Sequence, residues 1–212
     1  MNKWMVGLAL VLLAVPAMAR HEVRTIERDF PIDPDETLRL DVGVAEVEIE
    51  GSEGDQVEVR LVIECSSSRR CEERAERVEL VSRSASRTLS LAVKGHHKSG
   101  HHAPSLELWV RVPTTRPVEV DMGVGELEIR GMESDLEVDL GVGEVEIRFP
   151  ESEVRSVYLE VGVGEAELSP RKSRSSSSGF LFLGNEVEWD DGPGSAQVEV
   201  DVGVGEAEVI LE

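Results

Sequence analysis

"DLGVGEVEI", Asp139–Ile147, is a β-strand with a fault in it. Leu136, Val138, Leu140 and Val142 share one parity, while Val145, Ile147 and Phe149 share the other. Side chains of a strand alternate between its two faces, so an apolar series that changes parity has to turn a corner. The phase slips at Gly143-Glu144, and glycine is the residue that bends through positive φ without a Cβ clash. Nearly the same words stand at Asp121–Ile129, Glu160–Leu168 and Asp201–Val209. In Asp41–Ile49 they stand with Ala45 in place of the second glycine. The candidate corner glycines are Gly43, Gly123, Gly125, Gly141, Gly143, Gly162, Gly164, Gly203 and Gly205. Ala45 implies that the second position does not demand positive φ in every copy, or that it costs something in that terminal copy.

The copies begin 80, 18, 21 and 41 residues apart, near multiples of about 20. A period in that range marks a solenoid, whose units bury their apolar faces only against one another. The expectation is an all-β chain, a single-stranded β-solenoid of parallel β-helix type with coils of ~20 residues. Each coil would be a strand such as Leu136–Val142, a corner at Gly143-Glu144, a second strand such as Val145–Phe149, and a turn. Val118, Val120, Leu127, Ile129, Val138, Val145 and Ile147 should face the interior. A rival reading makes Gly143-Glu144 a two-residue hairpin turn, which would give an antiparallel meander or sandwich.

Residues 1–19 read as a secretory signal peptide. Lys3 supplies the positive end, Met5–Val15 the apolar core, and Ala17-Met18-Ala19 the small-x-small cleavage site. Residues 20–212 then form the solenoid domain, soluble and exported, in the periplasm or at the cell surface or beyond, with no membrane insertion after cleavage. Loop insertions are expected near 65–76, 95–104 and 169–179. Gln56–Glu64, Arg77–Arg83, Arg87–Lys94 and Ser105–Val112 alternate as strands and would fill the coils of the long first gap.

The passages "DFPIDPDETLRLDVGVAEVEIEG" and "VRVPTTRPVEVDMGVGELEIRG", with Val-Gly-Glu-Val/Leu/Ala words repeated to the C-terminus, resemble the bacterial putative-adhesin β-solenoid family. These are exported domains of unknown function, similar in pattern to head-domain and toast-rack-like envelope proteins. The resemblance runs from about Phe30 to the end. It implies a solenoid scaffold for adhesion or protein contact and carries no catalytic motif.

Charge limits the partners. Lys and Arg number 22 against 43 Asp and Glu, a net −21, and the leader removes one lysine and no acid. Such a chain repels nucleic acid and anionic lipid headgroups and attracts cations or basic partners. Stacked in register, the copies would align Asp121, Asp139 and Glu160 in one acidic column. Glu126, Glu144 and Glu165 would form a second, and Glu128, Glu146 and Glu167 a third. Ca2+ would relieve the repulsion of such columns; a solvated acidic face needs no metal. Four of the five histidines, His96, His97, His101 and His102, crowd into "GHHKSGHH". Imidazoles suit Zn2+ or Cu2+, or a pH sensor near pH 6. A polar loop is the plainer reading. Cys65 and Cys71 should pair in an exported chain, as a staple between strand ends.

An enzyme is disfavoured. No G-x-S-x-G elbow is present, and Trp109, Trp189 and Tyr158 are thin material for a sugar platform. The expected function is therefore a non-catalytic exported scaffold that meets a protein or a surface. A periplasmic transition-metal-binding protein using the histidine loop is the alternative, and a glycan-active enzyme is more remote. Neither a named partner nor an oligomeric state follows from the sequence.

Overall fold

The computed structural model describes residues 20–66, 68–95, 102–169 and 182–212, with the backbone alone at 182–184. The segment 1–19, expected to be a signal peptide, lies outside them, as do His96, His97, His101 and most of the serine-rich stretch 169–179. The described chain is all-β save for one short helix. In order its elements are β1 (His21–Pro31), β2 (Thr37–Ser52), β3 (Gln56–Cys65), α1 (Arg69–Ala75), β4 (Glu79–Ala85), β5 (Thr88–Lys94) and β6 (Ser105–Pro113). There follow β7 (Val118–Arg130), β8 (Leu136–Phe149), β9 (Val154–Ser169), β10 (Phe182–Gly184), β11 (Glu186–Trp189) and β12 (Ala196–Leu211). The twelve strands make one sheet.

The five copies of the repeated word are the long strands β2, β7, β8, β12 and β9. They pair in parallel, word on word. Val118 lies opposite Leu136 and Arg130 opposite Arg148, while Gly205 lies between Gly143 and Gly164. Each rung is bent. From Arg130 to Leu136 the chain takes six steps and can reach at most about 21 Å, yet a straight 13-residue β7 would part its own ends by about 40 Å. The rung must fold back for β8 to start beside the start of β7. Pairing keeps one direction through the corner, so the hairpin reading of Gly143-Glu144 fails: β8 runs through it without reversing.

The bend brings both halves of each rung onto one core. Leu136, Val138 and Leu140 before the corner and Val145, Ile147 and Phe149 after it are all at most 3% exposed. They belong to a single buried cluster. Val118, Val120, Leu127 and Ile129 occupy the matching places in β7, as expected. Among the described residues no polar or charged side chain is buried. Each apolar side chain buried in this way is worth about 1.5–3 kcal/mol before entropy.

The corner differs in detail from its sequence reading. The slip extends over Gly141–Glu144, and Val142, assigned to the inward parity, is 45% exposed. Gly143 has φ +145°, and a Cβ there would lie 1.7 Å from the carbonyl oxygen of Gly125 in the next rung. Gly125, Gly164 and Gly205 repeat this φ within 2°. Ala45 is not among the residues at positive φ. It belongs to the first rung, where β2 leaves β5 after Asp41 and joins β6 only at Glu46. No further described strand pairs with its corner on that side, so the close approach that excludes a Cβ elsewhere does not arise.

Two expectations about the spaces between copies are overturned. The long first gap does not add coils. There β1, β3 and β6 pair antiparallel, and β4–β5 is an antiparallel pair joined to β2 through β5. Strand alternation reports which residues face inward, not which neighbour a strand takes. Nor do the copies stack in chain order: the sheet runs β2-β7-β8-β12-β9, with the C-terminal strand wedged between β8 and β9. The entry is tight. Gly192 and Gly194 pass so near Glu153 and Val154 that a Cβ on either would strike their backbone, and Ser195 N–H donates to Glu153 O at 2.9 Å. The segment expected as a loop at 65–76 contains α1.

Candidate functional site

The outer surface of the corner is built by register. Because the rungs align word on word, each position of the word becomes a column. The order of the rungs places Asp201 between Asp139 and Glu160, so the first acidic column is Asp41, Asp121, Asp139, Asp201, Glu160. The second is Glu46, Glu126, Glu144, Glu206, Glu165. Between them stands a column of valine: Val124, Val142, Val204 and Val163 are 43%, 45%, 46% and 65% exposed. Val44 continues it, half-buried. The glycines on either side carry no side chain, so the valines form a ridge. An open trough of about 570 Å³ runs along its Asp side, floored by Gly123, Gly141, Gly203 and Gly162. A second hollow of about 370 Å³ lies on its Glu side and reaches Glu107 and Trp109 of β6.

Rungs about 4.8 Å apart hold like charges close, and the carboxyls of the middle rungs respond. Asp201 is raised above the ordinary aspartate value by partial burial, then by Asp139 and Glu160. Glu208 is raised by burial, then by Glu167 and Glu146. Burial first, then Glu119, Asp139 and Glu199, raises Glu137. Burial followed by Glu64 and Glu46 does the same for Glu107. Two of these four lie on β12, which has an acidic rung on each side.

Arginine compensates the columns unevenly. The column of Glu48, Glu128 and Glu146 lies one strand turn beyond the ridge, and there Arg130 pairs with Glu48 and Glu128 and Arg148 with Glu146 at 2.6 Å. Next to the ridge, Arg39 reaches Asp121 at 3.9 Å. Among the described residues, no ion pair reaches Glu46, Glu126, Glu144, Glu206 or Glu165. Of the ten carboxylates in the two columns that frame the valines, only Asp121 has an ion pair among the described residues.

Of the four histidines singled out for metal, only His102 is described. Its Nδ1 lies 3.1 Å from Ser68 Oγ, which ties its loop to the start of α1. No group of three His, Cys, Asp or Glu with metal-holding geometry occurs among the described residues, the acidic columns included. Cys65 and Cys71 are joined in a disulfide, but Cys71 sits in α1, so the staple ties the end of β3 to a helix rather than to a strand end. The three aromatics considered for a sugar platform do not meet. Trp109 lies on β6 with Arg60 5.6 Å over its ring, whereas Tyr158 and Trp189 lie on β9 and β11, at the other side of the stack. The Tyr158 hydroxyl donates to Glu160 at 3.0 Å, which with its surrounding carboxylates pushes its pKa up to about 12. The valine ridge itself went unread in the sequence. The signal was present, in that Val is the one large residue between two glycines in every full copy of the word.

Among solved structures, a putative cell adhesion protein from Clostridium sporogenes covers 89% of this chain and is itself covered completely, at TM-score 0.52 and 18% identity. That likeness concerns the fold. A putative adhesin from Bacteroides fragilis (12% identity, 88% of this chain and 97% of its own, TM-score 0.28) and a putative lipid binding protein from Parabacteroides distasonis (13%, 88% and 96%, 0.27) align more loosely. No curated protein matches the sequence. Residues 19–169, which run to the end of β9, match the family described as the N-terminal domain of toast_rack, DUF2154. With most of its length covered by that match, the chain belongs to the Toast_rack_N family.

Proposed function

We propose that the protein is a non-catalytic, exported scaffold of solenoid type whose corner surface binds a protein or surface partner. The observation that carries this reading is the exposed valine ridge framed by uncompensated carboxylates. Soluble folds bury apolar residues where they can, and an exposed apolar stripe rimmed by charge is the mark of a contact surface. The adhesin names carried by proteins of similar fold agree with a contact role, and an exported location suits the disulfide.

Site-specific photocrosslinking in the producing cell tests this. A benzoylphenylalanine at Val142 should capture a discrete partner, and one at Arg83 on β4, away from the ridge, should not. Equal capture at both positions, or none at Val142, would refute the reading.

A further inference from the structure

We infer that the valine ridge is the seat of a basic amphipathic helix of a partner protein, with the helix axis lying along the ridge and across the rungs. This inference rests on the scaffold reading and names the chemistry of the partner. Dimensions favour a helix. The ridge crosses five rungs, Val44, Val124, Val142, Val204 and Val163, and is about 19 Å long at ~4.8 Å per rung. A helix of about 13 residues has that length, and its turns repeat every ~5.4 Å, close to the valine spacing. A partner strand laid along the ridge would present like-facing side chains only every ~6.7 Å and fall out of step.

Charge selects which helix. The surface reads acid, valine, acid across the corner, and an apolar stripe flanked on both sides by Lys or Arg is its complement. Asp139 lies three residues before Val142 and Glu144 two after it, within reach of long basic side chains around a helix ~10–12 Å wide. The trough floored by Gly141 and Gly203 gives those side chains room on the Asp side. A second copy of this chain would bring acid against acid, and an anionic membrane would be repelled.

The test is titration of the full mature chain with an amidated, amphipathic Leu/Lys peptide of about 14 residues, against a scrambled peptide of the same composition. The expected result is at least tenfold tighter binding of the amphipathic peptide. That preference should be lost in the variant Val124→Thr, Val142→Thr, Val204→Thr, and binding should weaken in Asp139→Asn, Asp201→Asn and with added salt. Thermal melts check that each variant is folded, and Val142→Thr alone, with an expected loss of threefold or more, serves if the triple variant is not. Equal binding of the two peptides, or binding indifferent to the valines, overturns the inference. So does a dimer of the native chain, or its binding to zwitterionic vesicles, that the valine variant abolishes. A partner crosslinked at Val142 without any preference for the amphipathic peptide overturns the helix and leaves the scaffold reading standing. Failure of both removes the two together.

Discussion

At Gly143 two constraints meet that a single methyl group would break. Its φ lies where side chains other than hydrogen are strained, and the carbonyl of Gly125 occupies the space of a Cβ. Gly143→Ala should therefore cost about 3 kcal/mol or more, read by urea denaturation. Ala45→Gly, in the rung free of that approach, should cost only about 0.5–1 kcal/mol through chain entropy. Similar losses in the two variants would refute this account of the corner. Val138, 1% exposed, tests the core in the same way: Val138→Asp buries a charge with no partner and should cost about 3–5 kcal/mol. The parity slip and the inward residues were legible in the sequence because both follow from strand geometry. The outward turn of Val142 was not, since a single valine between Gly141 and Gly143 leaves the period undefined there.

Between rungs, the acidic columns set the response to pH and salt. Glu107, Glu137, Asp201 and Glu208 are held above their ordinary values, so the folded chain takes up protons before the unfolded chain does. The stability they contribute is full below the ordinary carboxylate range, about pH 4, and is lost as pH rises through their raised values. The protein should melt higher at about pH 5 than at about pH 7.5, and salt of about 0.5 M should narrow the gap by screening the columns. Differential scanning calorimetry across that range decides the matter; a melting point that falls steadily on acidification from pH 7.5 would contradict it. The disulfide acts on a smaller scale. Closing so short a loop is worth about 2 kcal/mol, and Cys71→Ser should lose that much in chemical denaturation. Columns were legible as soon as the words were seen to repeat. Their order was not, because rungs written alike fit on one another in any sequence.

For the molecule as a whole, the family match ends at the last residue of β9, yet β12 makes the pairing that holds β9 to the rest of the stack. A chain ending at Ser195 should lose cooperative melting and resist protease poorly, even though it keeps every residue the family match covers. Native-like protease resistance in that truncation would show that β9 can close onto β8 unaided. The antiparallel group β1, β3, β6 and the β4–β5 pair were legible as strands, but neighbour choice among them depends on loops whose geometry no alternation records. The wedged strand also fixes the timing of maturation. Synthesis delivers a chain from its N-terminus, and most repeat folds can add each unit as it emerges. Here the slot beside β8 has to stay open, or be reopened, until the sixteen-residue β12 has emerged, so assembly cannot be committed strand by strand. During that interval the exposed edge of β8 is a template for foreign strands, which makes folding, rather than equilibrium stability, the stage at which this architecture is most vulnerable.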